Sequence, residues 1–214
     1  MSDTHRRSIE ARAGLTPFDL YYHVISANDT EEGGNIPYFD ANPFSQNEWD
    51  LKAALHQGDK KSLNVYLMRL TSPLYQAWST LPLELEFSVQ KDGIVLHNSV
   101  FLYGSNTNYN LGKTLIHDWA SLRWFGLSHI FDGGCEDNFD CVDDTPLEAV
   151  PTAGPVGECP IGRDSCPDDP GLDPIHNCMD YTSNECRTEF TAGQIQCMHE
   201  QVLQFRNLTP GGLS

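Results

Sequence analysis

Between Leu111 and Cys135 the chain reads LGKTLIHDWASLRWFGLSHIFDGGC, and this stretch restricts the fold more than any other. Its apolar spacing predicts a helix that opens at Lys113 and Thr114, carries His117 and breaks at Gly126. A second imidazole, His129, follows just beyond the break. Two histidines on either side of a glycine that ends a helix outline a zinc site. The helix presents one ligand, and the glycine turns the chain so that the other returns to the same metal. A helical histidine pair at i and i+4, with a glutamate general base at i+1, would complete the site. Here i+1 is Asp118 and i+4 is Ser121. Aligned backward from Gly126, the second-ligand position is Arg123, a permanent cation where a dication should sit.

Composition narrows the class. With 214 residues the chain is long enough for one domain with a substantial core. Acidic residues outnumber basic ones 30 to 13, a net charge of −17, which argues against nucleic-acid binding. All seven cysteines lie at or after Cys135, and no C-x-x-C pair occurs. That distribution favours a disulfide-stapled, loop-rich C-terminal half over a zinc ribbon, with an odd thiol left over. The opening MSDTHRRSIEARAG has charge but no following apolar run, so it does not read as a secretory signal. No stretch approaches the ~20 apolar residues of a membrane span. Residues 1–18 are read as disordered or a residual pro-region, and 19–214 as the folded domain.

Along the chain, DLYYHVIS (19–26) alternates as a strand containing His23, and Asn28-Asp-Thr30 is a glycosylation sequon. Residues 31–48 read as loop, and a short helix covers Asp50–His56. KSLNVYLMRL (61–70) is one apolar run, predicting a central strand; DGIVLHNSVF (92–101) is a third strand, and 71–90 is read as irregular. EFTAGQIQCMHEQVLQFRN (189–207) predicts a terminal helix capped by Thr191. Asp137, Asp140, Asp143 and Asp144 offer oxygen ligands for a structural calcium ion, without EF-hand spacing; a solvated acidic loop is the commoner arrangement.

ALHQGDKKSLNVYLM (54–68), DGIVLHNSV, NYNLGKTLIH, GLSHIFDGGC, VDDTP, GRDSCP, GLDPIHNCMDY and EFTAGQ follow one another in this order. Together they resemble the pappalysin-type metzincins, among them the secreted metalloproteases of filamentous fungi. The dense part of the resemblance covers residues 92–206. It implies an α+β, metzincin-like fold: a mixed sheet over an active-site helix (lobe 19–126), then a loop-rich, disulfide-stapled lobe (127–214). It implies Met179 as the Met-turn, and bridges Cys135–Cys166 and Cys159–Cys186; Cys141, Cys178 and Cys197 stand where other residues are expected. Against the family pattern H-E-x-x-H-x-x-G-x-x-H, His117, Gly126 and His129 fit, but Gly126 comes two residues late. On a helix those two residues add roughly 200° of rotation and about 3 Å of rise, so His129 is expected to return on the far side. A backing helix and strand between Pro37 and Trp49 are also missing from the pattern. The codons allowed for Asp118–Ser121 permit Ile-Gly-His one base later, which motivates a local frame or splicing error as the origin of the insertion.

The resemblance implies a secreted zinc metalloendopeptidase, monomeric, acting on extracellular proteins or peptides, with no nucleic acid or membrane as partner. In it His117 and His129 hold zinc, and Asp118 stands where the base belongs. The alternative is a catalytically inactive remnant, or a peptide-binding protein with a disrupted zinc motif. For His97, His176, Asp173, Asp180, Trp124, Phe125 and Tyr181 the ordinary structural role is expected.

Overall fold

A computed structural model describes residues 2–9, 18–25, 42–70, 75–80, 87–121, 124–137, 139–140, 142–152 and 159–208. Five strands form one sheet: β1 (Ser2–Ile9), β2 (Phe18–Ile25), β3 (Leu63–Met68), β4 (Ala77–Ser79) and β5 (Ile94–His97). Their order is β1-β2-β3-β5-β4. The β2–β3 and β3–β5 pairs are parallel, and the two outer pairs are antiparallel. The sheet is therefore mixed, as expected, and β3 is central, as its apolar run requires.

Both faces of β3 are covered. Leu63 and Val65 join Phe18, Leu20, Ile94, Trp124, Val202 and Leu208 on one side. Tyr66 and Met68 join Ile25, Leu51, Trp78 and Val95 on the other. Alternate side chains of a strand point to opposite faces, so a strand sealed on both reads as continuous hydrophobicity.

Three α-helices complete the described part: α1 (Gln46–Leu55), α2 (Lys113–Ala120) and α3 (Ala192–Arg206). Helix α1 begins four residues earlier than its apolar spacing suggests, because the Ser45 hydroxyl caps the Glu48 amide at 3.2 Å. Helix α3 starts in a full capping box. The Thr191 hydroxyl accepts from the Gln194 amide at 3.1 Å, and the Gln194 side chain accepts from the Thr191 amide at 3.0 Å.

Two expectations are corrected. Residues 2–9, expected to be disordered or residual pro-region, form β1, an edge strand antiparallel to β2. Within 71–90, read as irregular, Ala77–Ser79 forms β4, with its centre sealed by Trp78. The sequon at Asn28, Cys141, Arg123 and residues 26–41 lie outside the described residues.

Candidate metal centre

His117 sits on the inward face of α2, 6% exposed. Its Nδ1 lies 2.8 Å from the Cys178 carbonyl oxygen, which can only accept, so Nδ1 carries the hydrogen and Nε2 is left free for a metal or substrate. Burial, the neighbouring His129 and the Arg187 guanidinium hold His117 well below the usual imidazole range. It is therefore neutral at physiological pH, the form that ligates metals.

Helix α2 stops at Ala120, six residues before the glycine expected to end it. The stop is made by Ser121: its amide bonds the His117 carbonyl at 2.9 Å, and its hydroxyl donates back to the Asp118 carbonyl at 2.8 Å. The chain then folds over the helix end. The amides of Trp124 and Gly126 both reach the Ser121 carbonyl at 3.1 Å, and the Leu127 amide reaches the Ala120 carbonyl at 3.0 Å. Gly126 turns with φ +86°, and a β-carbon there would lie 2.5 Å from the Gln201 side chain, so glycine is required twice over.

This fold-back corrects the expectation for His129. Because the helix ends at Ala120, the lateness of Gly126 adds no helical rotation, and His129 returns to the near side. Its ring stacks on His117 with centroids 5.1 Å apart and planes at 21°. Phe131 stacks on the opposite face of His129 at 4.9 Å and 7°. The His129 amide donates to the Asp132 carboxylate at 3.0 Å, and hydrogen bonding from the His129 side chain, above all, pulls the Asp132 carboxyl below its ordinary range. Met179, fully buried, packs with Ala120, Leu127 and Ile130, and Phe131, which stacks on His129, packs against the same cluster.

Tyr181, for which packing was expected ahead of a lean toward an oxyanion, brings its hydroxyl to 3.3 Å from His129 Nε2, with its ring 5.4 Å from that of His117. Three further residues behave as expected. His97 Nδ1 accepts from the Ser99 amide, His176 Nδ1 donates to the Cys186 carbonyl, and the Asp180 carboxylate accepts from the Thr152 and Tyr181 amides. The Cys178 carbonyl is a site element that no sequence signal marks, because any residue there would supply it. Arg187, buried beside Cys178 and Asp118, was also not singled out.

A catalytic zinc takes three protein ligands and leaves one position open. The described residues bring two candidate histidines together. Ser121, at i+4, is buried with its hydroxyl turned to the helix end, and no group of three His, Cys, Asp or Glu side chains suited to a metal occurs among the described residues. Asp118 is buried beside His117, within electrostatic reach of Arg187. The two rings lie face to face, and among the described residues no third side chain completes a ligand set with them. The acidic loop is likewise distributed: Asp140 bonds Thr145 and the Val142 amide, while Asp144 bonds the Thr191 hydroxyl and the Gly193 amide.

Below the centre the lobe is stapled by Cys135–Cys166 and Cys159–Cys186, the two pairs the resemblance implies. Cys178 is a buried free thiol.

Residues 47–203 match the family model of peptidase M43, described as pregnancy-associated plasma protein-A. The chain belongs to this metallopeptidase family. An extracellular metalloprotease of Pyricularia oryzae is 43% identical over 160 residues, covering 74% of this chain and 54% of that protein. One from Colletotrichum graminicola is 41% identical over 193 residues, covering 88% and 65%. The chain thus spans about half to two thirds of the length of these relatives. Mature mirolysin of Tannerella forsythia, solved in complex with a cleaved peptide, superposes with a TM-score of 0.60 at 28% identity, covering 73% of this chain and 59% of that one. The α+β arrangement is that of this M43 metzincin fold.

Proposed function

We propose that this M43 protein is a secreted metalloendopeptidase scaffold acting on extracellular protein or peptide chains, with His117 and His129 as its zinc-facing pair. The observation that carries the reading is the stacked pair itself. Two imidazoles twelve residues apart in sequence are held side by side, one oriented through Nδ1 by a backbone carbonyl. Asp118 is the carboxylate nearest in sequence to the position of a general base, and Tyr181 is placed to meet the edge of the same space. Secretion is supported by the relatives' description as extracellular and by the two disulfides, which form in oxidising compartments.

Ser121 favours a second reading for the chain in this form: a cleft that binds peptide without cutting it. Casein digestion by protein folded under oxidising conditions, with and without a chelator, separates the two. Chelator-sensitive cleavage establishes the peptidase. Retention of casein peptides on the folded protein without cleavage establishes the binding form, and neither result would remove both readings.

A further inference from the structure

A second cluster lies beneath the Met179–Tyr181 turn and belongs to no metal centre. Glu148 and Asp180 are both fully buried. Thr152 joins them: its hydroxyl donates to Glu148 Oε1 at 2.9 Å, and its amide donates to Asp180 Oδ1 at 3.3 Å. The Tyr181 amide also donates to Asp180 Oδ1, at 2.6 Å. Arg163 bonds Glu148 Oε1 and Asp173 Oδ2. The second oxygens, Glu148 Oε2 and Asp180 Oδ2, are sealed from solvent, and among the described residues no donor bonds either, though the Thr182 amide and hydroxyl lie near enough to Asp180 to favour its charged form. Thr182 lies against Asp180, yet its hydroxyl is directed to the Ile175 carbonyl.

Orphaned carboxylate oxygens at zero exposure are costly, and a fully ionised carboxyl pair in such a place is costlier still. The groups facing the pair are Asp173, Arg163 and Arg187. Arg187 also faces Asp118, so four carboxyls share two guanidiniums, and a proton held between Glu148 and Asp180 relieves part of the excess negative charge. A metal ion would need more oxygen ligands than two orphans provide, and no three-ligand group occurs among the described residues.

We infer that Glu148 and Asp180 together hold a single proton at neutral pH, and that this proton fixes the turn carrying Met179 and Tyr181 beside the histidine pair. The coupling is direct, since Asp180 Oδ1 holds the Tyr181 amide and the Tyr181 hydroxyl meets His129. The inference does not depend on zinc binding or on peptide cleavage. The electrostatics agree with it: burial, then the charge of Asp180, raises the Glu148 carboxyl to about 7, and burial raises Asp180 as well.

The folded state binds this proton more tightly than the unfolded chain, so the stability it contributes is present at low pH. It is lost as pH rises from the unfolded carboxyl range through about 7. The test is the thermal midpoint of the intact protein and of Glu148→Gln, which carries the neutral form permanently, followed from about pH 5 to pH 8. The parent is expected to lose several degrees across this range relative to Glu148→Gln. Equal slopes in the two folded proteins would overturn the inference. Infrared titration of the unaltered protein, which needs no variant to fold, is expected to show a protonated-carboxyl band that persists near pH 7. Its absence there overturns the inference equally. A midpoint at pH 8 restored by calcium chloride or sodium chloride, and not by choline chloride, would replace the proton with a metal cation.

Discussion

Arg206 clamps the C-terminal end of α3 to the loop that delivers His129, and its removal is expected to be felt in both stability and the metal centre. The side chain is fully buried. It forks onto Asp92 with contacts of 2.7 and 3.2 Å, donates from Nε to the Trp124 carbonyl at 3.1 Å, and donates to the Lys60 carbonyl at 3.0 Å. Its guanidinium also lies 4.1 Å from the centre of the Trp124 ring. Arg206→Met keeps much of the volume but leaves the Asp92 carboxylate buried without its partner. Breaking a buried pair in this way costs about 3–5 kcal/mol. For a domain of this size each kcal/mol moves the midpoint by roughly 2–4 °C, so a fall of about 6–20 °C is expected in a thermal melt. Asp92→Asn should cost less, because the amide oxygen still accepts one of the two bonds. The double variant Arg206→Met/Asp92→Leu should recover part of the loss, since a well-packed apolar pair avoids the desolvation of two charges. A single-variant midpoint within about 2 °C of the parent would refute the clamp.

Thr191→Ala removes the cap of α3 together with the bond to Asp144, and should destabilise by about 1–2 kcal/mol in denaturant titration; Thr191→Ser should restore most of it. Non-reducing peptide mapping of protein from its native source should recover Cys135 linked to Cys166 and Cys159 to Cys186. With sequence separations of 31 and 27, each bridge should be worth about 3–4 kcal/mol, and finding all thiols free would contradict an extracellular life.

The parts of the fold that could be read from sequence are those in which burial is written into consecutive residues. LNVYLM declares a strand sealed on both faces, and TAGQ declares the start of α3 through its capping box. Strand β4 went unread because three residues carry no periodicity, and its pairing to β5 is decided by packing of Trp78. Strand β1, SDTHRRSI, has no apolar alternation, and its place comes from main-chain pairing with β2.

At the centre, His117, His129 and Met179 were legible as residue types at suggestive spacing. Their approach was not, because helical rotation carried to Gly126 would place His129 on the far side, and the helix ends at Ala120. A serine hydroxyl closing on the Asp118 carbonyl ends it there. The partner that orients His117 is a main-chain carbonyl, which leaves no mark in sequence. Glu148 and Asp180 looked ordinary for the same kind of reason: their significance lies in being sealed together under one turn.

The claim that this centre is a metal site reduced to two histidines is tested most directly by zinc affinity, measured in competition with a chromogenic chelator. The comparison is between the chain as it stands and a version in which residues 118–123 (DWASLR) are replaced by Glu-Ile-Gly-His, which restores histidine at i+4 from His117 and removes the two extra residues. A four-ligand structural zinc is worth about 10–16 kcal/mol, so one ligand accounts for roughly 3 kcal/mol, or about a hundredfold in affinity. The account predicts that the unaltered chain surrenders its zinc to the chelator while the altered one retains one ion per chain. Stoichiometric zinc held equally tightly by both would contradict it.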